Sequence, residues 1–526
     1  MKKITTIILM LLSFYSYSQQ DMNIAMGSFE GEPYLAINPV NPKNVVIAWM
    51  HITSSFRPIR TKSSFDGGIT WSSPVDLPIV NTNTADPTMA FDTSGNLYLC
   101  FIDHLGTSSS TNIGGIYCYK STDGGLTWGN QVKVIDINAD SNHQPIDRPW
   151  LVCDRSKGMN SGNLYLTTKS VKGSPAPFHP YFMKSTDGSL SWSSWKYVDT
   201  VGWLSGISST FAAPTVTANG KFASIYPSYV PSQSPIPRYM MAYSDDGGNS
   251  FNYKNGIVNI PGASNDSAKR GWQFVADPSD SNHLSFFYIS GSSGDLDILM
   301  TETYDFGSTW TSSLRVNDDS LGNGVLQDLV WASFDKDGDI VVCWRDRRND
   351  IGSGYARASQ IFGSVRWKDS SNFSPNFIIS DTLTSYANIL NQAGNDFLCQ
   401  QLYDDTLYVT WGDVRTGFLN IWFDKIALSS GNSTCLKNIN HSEIPILQIY
   451  PNPTINSLNL KFLGNNETIK ITLYNSIGGV IKRITNKKYR NILHTINIDI
   501  QNLPSGNYFV HYQSKGISKT KKLLKY

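Results

Sequence analysis

The chain has 526 residues, 12% of them aromatic and 16% charged, with 41 Gly and 43 Lys and Arg against 42 Asp and Glu. This exceeds one ordinary domain and describes a turn-rich, aromatic, all-β globular protein rather than a disordered or helical one. The near-neutral total hides a division: residues 446–526 carry 12 Lys and Arg against Glu467 and Asp499, whereas 19–445 hold 29 basic and 40 acidic residues. An acidic main domain near −11 excludes nucleic acid as its partner.

In chain order, residues 1–18 have two lysines, an apolar run from Ile4 to about Phe14 and then small residues, the pattern of a cleaved signal peptide. The apolar run is shorter than the roughly 20 residues of a bilayer-spanning helix, so no transmembrane segment is expected.

Seven short apolar runs follow, VVIAW from Val45, LYLCF from Leu97, LYLTT from Leu164, FASIY from Phe222, LSFFY from Leu284, IVVCW from Ile340 and LYVTW from Leu407. Their starts are 52 to 67 residues apart, the length of a four-stranded sheet with its loops. A β-propeller over 19–428 is predicted, with seven blades favoured over six. Ahead of the runs, EPYLAIN, DPTMAFD, RPWLVCD and APTVTAN read as innermost strands opened by proline, which a strand tolerates at its first residue. The seventh repeat lacks an outer strand, and residues near Met22 to Met26 are placed to supply it and close the ring, removing the open edges.

Five copies of one motif are in step with the blades: SFDGGITW from Ser64, STDGGLTW from Ser121, STDGSLSW from Ser185, SDDGGNSF from Ser244 and TYDFGSTW from Thr303. Asp66, Asp123, Asp187, Asp246 and Asp305 are 57, 64, 59 and 59 residues apart, each in the turn from a third strand to a fourth. Asp accepts turn N–H groups, Gly tolerates positive φ, and the Trp is expected to pack back onto its sheet. These copies resemble Asp boxes, and five in register resemble the sialidase superfamily and other bacterial-neuraminidase-repeat propellers. The resemblance implies that the boxes are structural fasteners on one face while ligands bind on the other.

Six cysteines, Cys100, Cys118, Cys153, Cys343, Cys399 and Cys435, form no CxxC pair. Cys100 and Cys118 could face each other on neighbouring strands; buried free thiols and an oxidised pair both stay open. Residues 429–445 are polar and low in complexity, a linker. Beyond them, period-2 alternation such as Ile469, Ile471, Leu473 and Ile496, Ile498, Ile500 predicts a separate β-sandwich over 446–526. YPNP, LYNSIGGVI, LPSGNYFV and the lysine-rich end resemble the C-terminal sorting domain of the type IX (Por) secretion system. That resemblance implies secretion machinery as a partner of 446–526, passage across an outer membrane, and then release or surface attachment.

The ligand face is expected where the second strands end and the innermost strands begin. Arg57 and Arg60, Asp103 and His104, His179, Tyr229 and Arg238, Arg345 to Arg348, Asp413 and Arg415 reach it by the first route. Glu32, Asp86, Asp147, Arg148, Trp272 and Gln273 reach it by the second. Asp86, Asp147, Asp346 and Asp413 are the candidate catalytic acids, and Arg57, Arg148, Arg347 and Arg415 the candidate substrate-binding residues. Arginine forks match carboxylates, so the cluster suits an acidic sugar; in WRDRR and WGDVR the charges equally suit mutual pairing.

The sialidase resemblance implies three arginines on the substrate carboxylate, an Asp acid/base, and a Tyr nucleophile activated by Glu, because Tyr is weak at its pKa of about 10. Between 19 and 445 only Glu30, Glu32, Glu302 and Glu443 exist, none mid-chain at the mouth, and FRPIR from Phe56 only approximates the Phe-Arg-Ile-Pro signature. Two carboxylates about 5 to 9 Å apart would serve another glycosidase mechanism. No cofactor is implied, although the carboxylates also suit Ca²⁺. The expectation is an exported propeller that binds or hydrolyses extracellular glycans or glycoproteins at its central pocket. Its rival is a non-catalytic surface adhesin or protein-binding scaffold.

Overall fold

The computed structural model describes residues 21–428 and 447–526 apart from 54–56, 82, 106–111, 141–142, 172–178, 200–211, 229–237, 255–271, 351–353, 388–394, 451, 453, 464–466, 490–492 and 516. The expected signal peptide, the linker, Tyr229 and Phe56 lie outside the described residues. The chain forms two compact units, Met1–Leu436 and Lys437–Tyr526.

Unit 1 is a seven-bladed β-propeller. Each blade is a four-stranded antiparallel sheet. The innermost strands are Glu30–Ile37, Asn83–Phe91, Asp147–Cys153, Ala213–Val216, Trp272–Ala276, Gln327–Phe334 and Leu398–Tyr403. Each contacts the next, and the seventh contacts the first, so the ring is closed. The seven apolar runs are the second strands. They read as unbroken apolar stretches because blades cover both of their faces; Val45 to Ala48 and Leu97, Leu99, Cys100 and Phe101 are fully buried. The last blade takes its outer strand from the N-terminus: Met22–Ala25 pairs with Asn420–Ala427, Met22 opposite Phe423.

The five repeated turns share one hydrogen-bond pattern. In the first, the Ile69 and Thr70 N–H groups and the Thr70 hydroxyl donate to the Asp66 carboxylate at 3.0, 2.8 and 2.5 Å. Asp123, Asp187, Asp246 and Asp305 accept the hydroxyls of Thr127, Ser191, Ser250 and Thr309 in the same way. The lone pairs are therefore used inside the turn. Trp310 packs back onto its own sheet as expected, meeting Phe274 at 6.5 Å, but others reach the neighbouring blade. Trp71 of blade 1 meets Phe423 of blade 7 edge-on at 5.2 Å, and Trp128 of blade 2 donates to Thr61 of blade 1. Gly248, at φ +81°, leaves no space for a Cβ against Phe182 of the preceding blade, and Gly68 is in the same position against Phe423. Each turn thus fastens its blade to the one before.

The inner strands differ from expectation in one respect that shapes the site. In three of them proline does not open the strand: it begins earlier, and the ladder skips around Glu32-Pro33, Asp86-Pro87 and Arg148-Pro149, whereas Ala213–Val216 begins beside Pro214 without a bulge. A bulge is where a missing N–H does least harm. Glu32, Asp86 and Arg148 adopt φ of 53°, 54° and 52°, a left-handed conformation strained for any non-glycine residue and disfavoured before proline. Blade 6 repeats the bulge without proline at Leu329, φ 55°.

Cys100 and Cys118 lie directly opposite each other as buried free thiols. Unit 2 packs a three-stranded sheet (Gln448–Tyr450, Ser457–Leu463, Leu493–Asp499) on a four-stranded one (Val480–Lys488, Thr468–Asn475, Gly506–Ser514, Ile517–Lys525). Leu458, Leu460 and Ile498 from one sheet and Ile469, Ile471, Leu473 and Val510 from the other share its core. No helix among the described residues is long and apolar enough to cross a membrane.

Candidate functional site at the propeller axis

The three bulges aim charged side chains at the axis and link blade to blade. Glu32 Oε2 of blade 1 accepts the Asp86 N–H of blade 2 at 2.9 Å, and Asp86 Oδ2 accepts the Arg148 N–H of blade 3 at 3.0 Å. The Arg148 guanidinium donates to Asp396 of blade 7 at 3.1 Å. Asp147 pairs with Lys169 across its own sheet. Four carboxyl groups therefore surround one arginine, with one lysine beside them.

Burial decides how these groups ionise. Glu32 and Asp86 are only 3% and 7% exposed. Burial first, then the Asp86 and Asp396 charges, push Glu32 well above the usual carboxylate range. Burial, then Asp147, lift Asp86 to about 6. The proximity of the two carboxyls raises Glu32 further. Two carboxylates so close cannot both ionise freely. For Arg148, burial disfavours the charge, but Asp396, Asp147, Asp86 and Glu32 outweigh it and raise the pKa.

One step further along the strands, aromatic rings close the channel. Trp150 and Trp331 have centroids 5.3 Å apart, Tyr34 meets Trp331 at 5.6 Å, and Phe397 meets Trp150 at 5.2 Å. The result is a pocket lined by aromatic and charged side chains. Its ≈ 310 Å³ of empty space, counted out to solvent, is lined by Arg148, Asp396, Trp150, Trp272, Trp331 and Phe397 among others.

Of the candidate residues, Asp86 and Arg148 are at the axis, with Asp147 adjoining. The others are not gathered there. Asp346 is buried and accepts the Trp344 indole N–H at 2.8 Å and the Arg348 guanidinium. Asp413 accepts the Trp411 indole N–H at 3.1 Å and the Arg415 guanidinium. WRDRR and WGDVR thus build the same Trp-x-Asp-x-Arg unit in neighbouring blades. Arg415 also bridges to Asp21 at 2.9 Å and Asp381 at 2.7 Å and lies 4.0 Å over Trp422, tying down the N-terminal segment. Arg347, 2% exposed, donates to Asp328, which also takes the Arg345 fork and the Tyr355 hydroxyl. Burial works against the Asp328 charge, but Arg345 and Arg347 hold its pKa far below the usual range. Arg148, Arg347 and Arg415 thus have separate carboxylate partners, Asp396, Asp328 and Asp413.

Arg57 is exposed, and its carbonyl accepts the Thr84 hydroxyl. Asp103 is buried and accepts the Val80 and Asn81 N–H groups. Glu302 lies in a buried network with Arg366 and His283. Among the described residues, no group of three or more His, Cys, Asp or Glu is arranged to hold a metal ion. Asp396 and the aromatic floor were missed by sequence reasoning. The signal was the charged residue before proline, with an aromatic residue two positions after it in EPY and RPW; blade 7 has no proline there, which hid Asp396.

Residues 448–526 match the family described as a secretion system C-terminal sorting domain. This marks the chain for export by type IX secretion to the cell surface or extracellular space. No curated protein matches the chain. Among solved structures it is similar to a protein of unknown function from Dyadobacter fermentans, at 16% identity and TM-score 0.42, covering 66% of this chain and 97% of that one. It is also similar to the NanB sialidase of Streptococcus pneumoniae, at 14% identity and TM-score 0.39, over 79% and 70% of the two chains. A third is the α-L-arabinanase of Penicillium chrysogenum, at 12% identity and TM-score 0.39, over 65% and 93%. The molecule is thus an exported seven-bladed propeller with an acidic axial pocket and a sorting domain.

Proposed function

We propose that this protein binds or hydrolyses extracellular glycans in the axial pocket. The observation that supports this reading is the convergence of Glu32, Asp86 and Asp396 around Arg148, over a floor of tryptophan and phenylalanine. Aromatic faces suit the C–H faces of sugar rings, while the ion pair offers donors and acceptors to hydroxyls. In the hydrolytic form of the reading, Asp396 is the carboxylate that touches substrate. The Glu32–Asp86 pair stores the proton behind it.

The second reading is a non-catalytic surface adhesin. It is favoured by the commitment of Arg347, Arg415, Asp346 and Asp413 to ion pairs that stiffen the mouth. Incubating the purified protein with fluorogenic glycosides, a sialoside included, separates the two. Turnover that falls at least a hundredfold in Asp396→Asn supports hydrolysis. No turnover, with glycan binding that weakens in Asp396→Asn, leaves a lectin; neither turnover nor binding leaves the adhesin reading.

A further inference from the structure

We infer that the axial pocket takes an uncharged sugar ring and turns acidic sugars away. This deepens the glycan reading above and rests on it. An acidic sugar needs cationic forks free to clamp its carboxylate. Among the described residues the pocket has one arginine on its rim, Arg148, and that guanidinium already donates to Asp396 at 3.1 Å. Asp86, Asp147 and Glu32 crowd the same group. Lys169 is matched by Asp147. Even with the proton on Glu32, three carboxylates face two cations among the described residues, so a fourth carboxylate enters a site of net negative charge.

Arg347 and Arg415, two of the other candidate arginines, are held elsewhere. Arg347 is 2% exposed against Asp328, and the Arg415 side chain is 9% exposed among Asp413, Asp21 and Asp381. Freeing either would take a partner from a buried carboxylate, which costs up to about 3 to 5 kcal/mol. An uncharged ring meets no such penalty. Its hydroxyls hydrogen-bond across the Arg148–Asp396 pair while its face lies on the aromatic floor.

The test uses the purified full chain and isothermal titration. The uncharged probes are lactose and gluco-, manno-, xylo-, galacto- and arabino-oligosaccharides; the acidic ones are 3′-sialyllactose and trigalacturonate. The expected result is binding confined to uncharged probes, with any acidic counterpart at least tenfold weaker. Asp396→Asn, which releases the Arg148 fork without changing volume, should narrow that gap by tenfold or more. Tighter binding of an acidic probe than of its uncharged counterpart overturns the inference, as does equal binding of the two; in both cases the glycan reading stands. No binding to any probe by protein with an intact circular-dichroism spectrum overturns the glycan reading and the inference with it.

Discussion

Replacing Asp123 by alanine separates a fastener from a functional site. The carboxylate accepts the Ser121 hydroxyl at 2.8 Å, the Leu126 and Thr127 N–H groups at 3.1 and 3.0 Å, and the Thr127 hydroxyl at 2.5 Å. The turn is exposed, so the orphaned donors regain water, and the net loss is the low end of about 0.5 to 1.5 kcal/mol per bond, roughly 2 to 3 kcal/mol in all. With about 2.1 cal/mol/K of unfolding entropy per residue over roughly 400 residues, this lowers Tm by about 3 °C. Differential scanning calorimetry reads the shift, and glycan titration on the same sample should show unchanged affinity. An unchanged Tm with lost binding would refute the assignment of these turns as fasteners.

Gly248→Ala combines a left-handed backbone with a clash on Phe182, so it should destabilise by about 2 to 5 kcal/mol in urea unfolding. Arg347→Ala leaves Asp328 with a lost buried partner and should cost about 3 to 5 kcal/mol or prevent folding, seen as loss of soluble protein. Glu302 is held at about 2 against its burial by Arg366 and His283, so its contribution is present above the unfolded pKa and lost as pH falls through about 2. Glu302→Gln should therefore destabilise at pH 7 by roughly 3 kcal/mol and flatten the acid limb of the stability curve. Asp86 acts with the opposite sign. Lifted to about 6, it stabilises below its unfolded pKa, and that contribution is lost as pH rises from about 4 through 6; Asp86→Asn should remove this loss, read by Tm across pH 4 to 8.

The ring was legible because its cause is local. A strand covered on both faces must be apolar throughout, so VVIAW or IVVCW announces itself, and a motif repeated once per blade reports the period. Met22 to Ala25 could be placed as the closing strand because the seventh repeat came up one strand short. The site was less legible because it is made by curvature. Asp396 and Arg148 are 248 residues apart and meet only when the ring closes. The bulges that turn Glu32, Asp86 and Arg148 inward are backbone features that Glu-Pro, Asp-Pro and Arg-Pro hint at without fixing. In WRDRR and WGDVR the composition invited a substrate clamp, whereas Trp-x-Asp-x-Arg spacing satisfies each aspartate within its own blade. Trp71 and Trp128 of the repeated turns join blades, a contact that no single repeat contains.

The most direct measurement is a crystal structure of the protein with whichever oligosaccharide the titration panel selects. Density for a sugar ring stacked over Trp150 and Trp331, with hydroxyls bridging Arg148 and Asp396, is the predicted result. A ring bound at the aspartate-bearing turns on the opposite rim, with nothing at the axis, would contradict it.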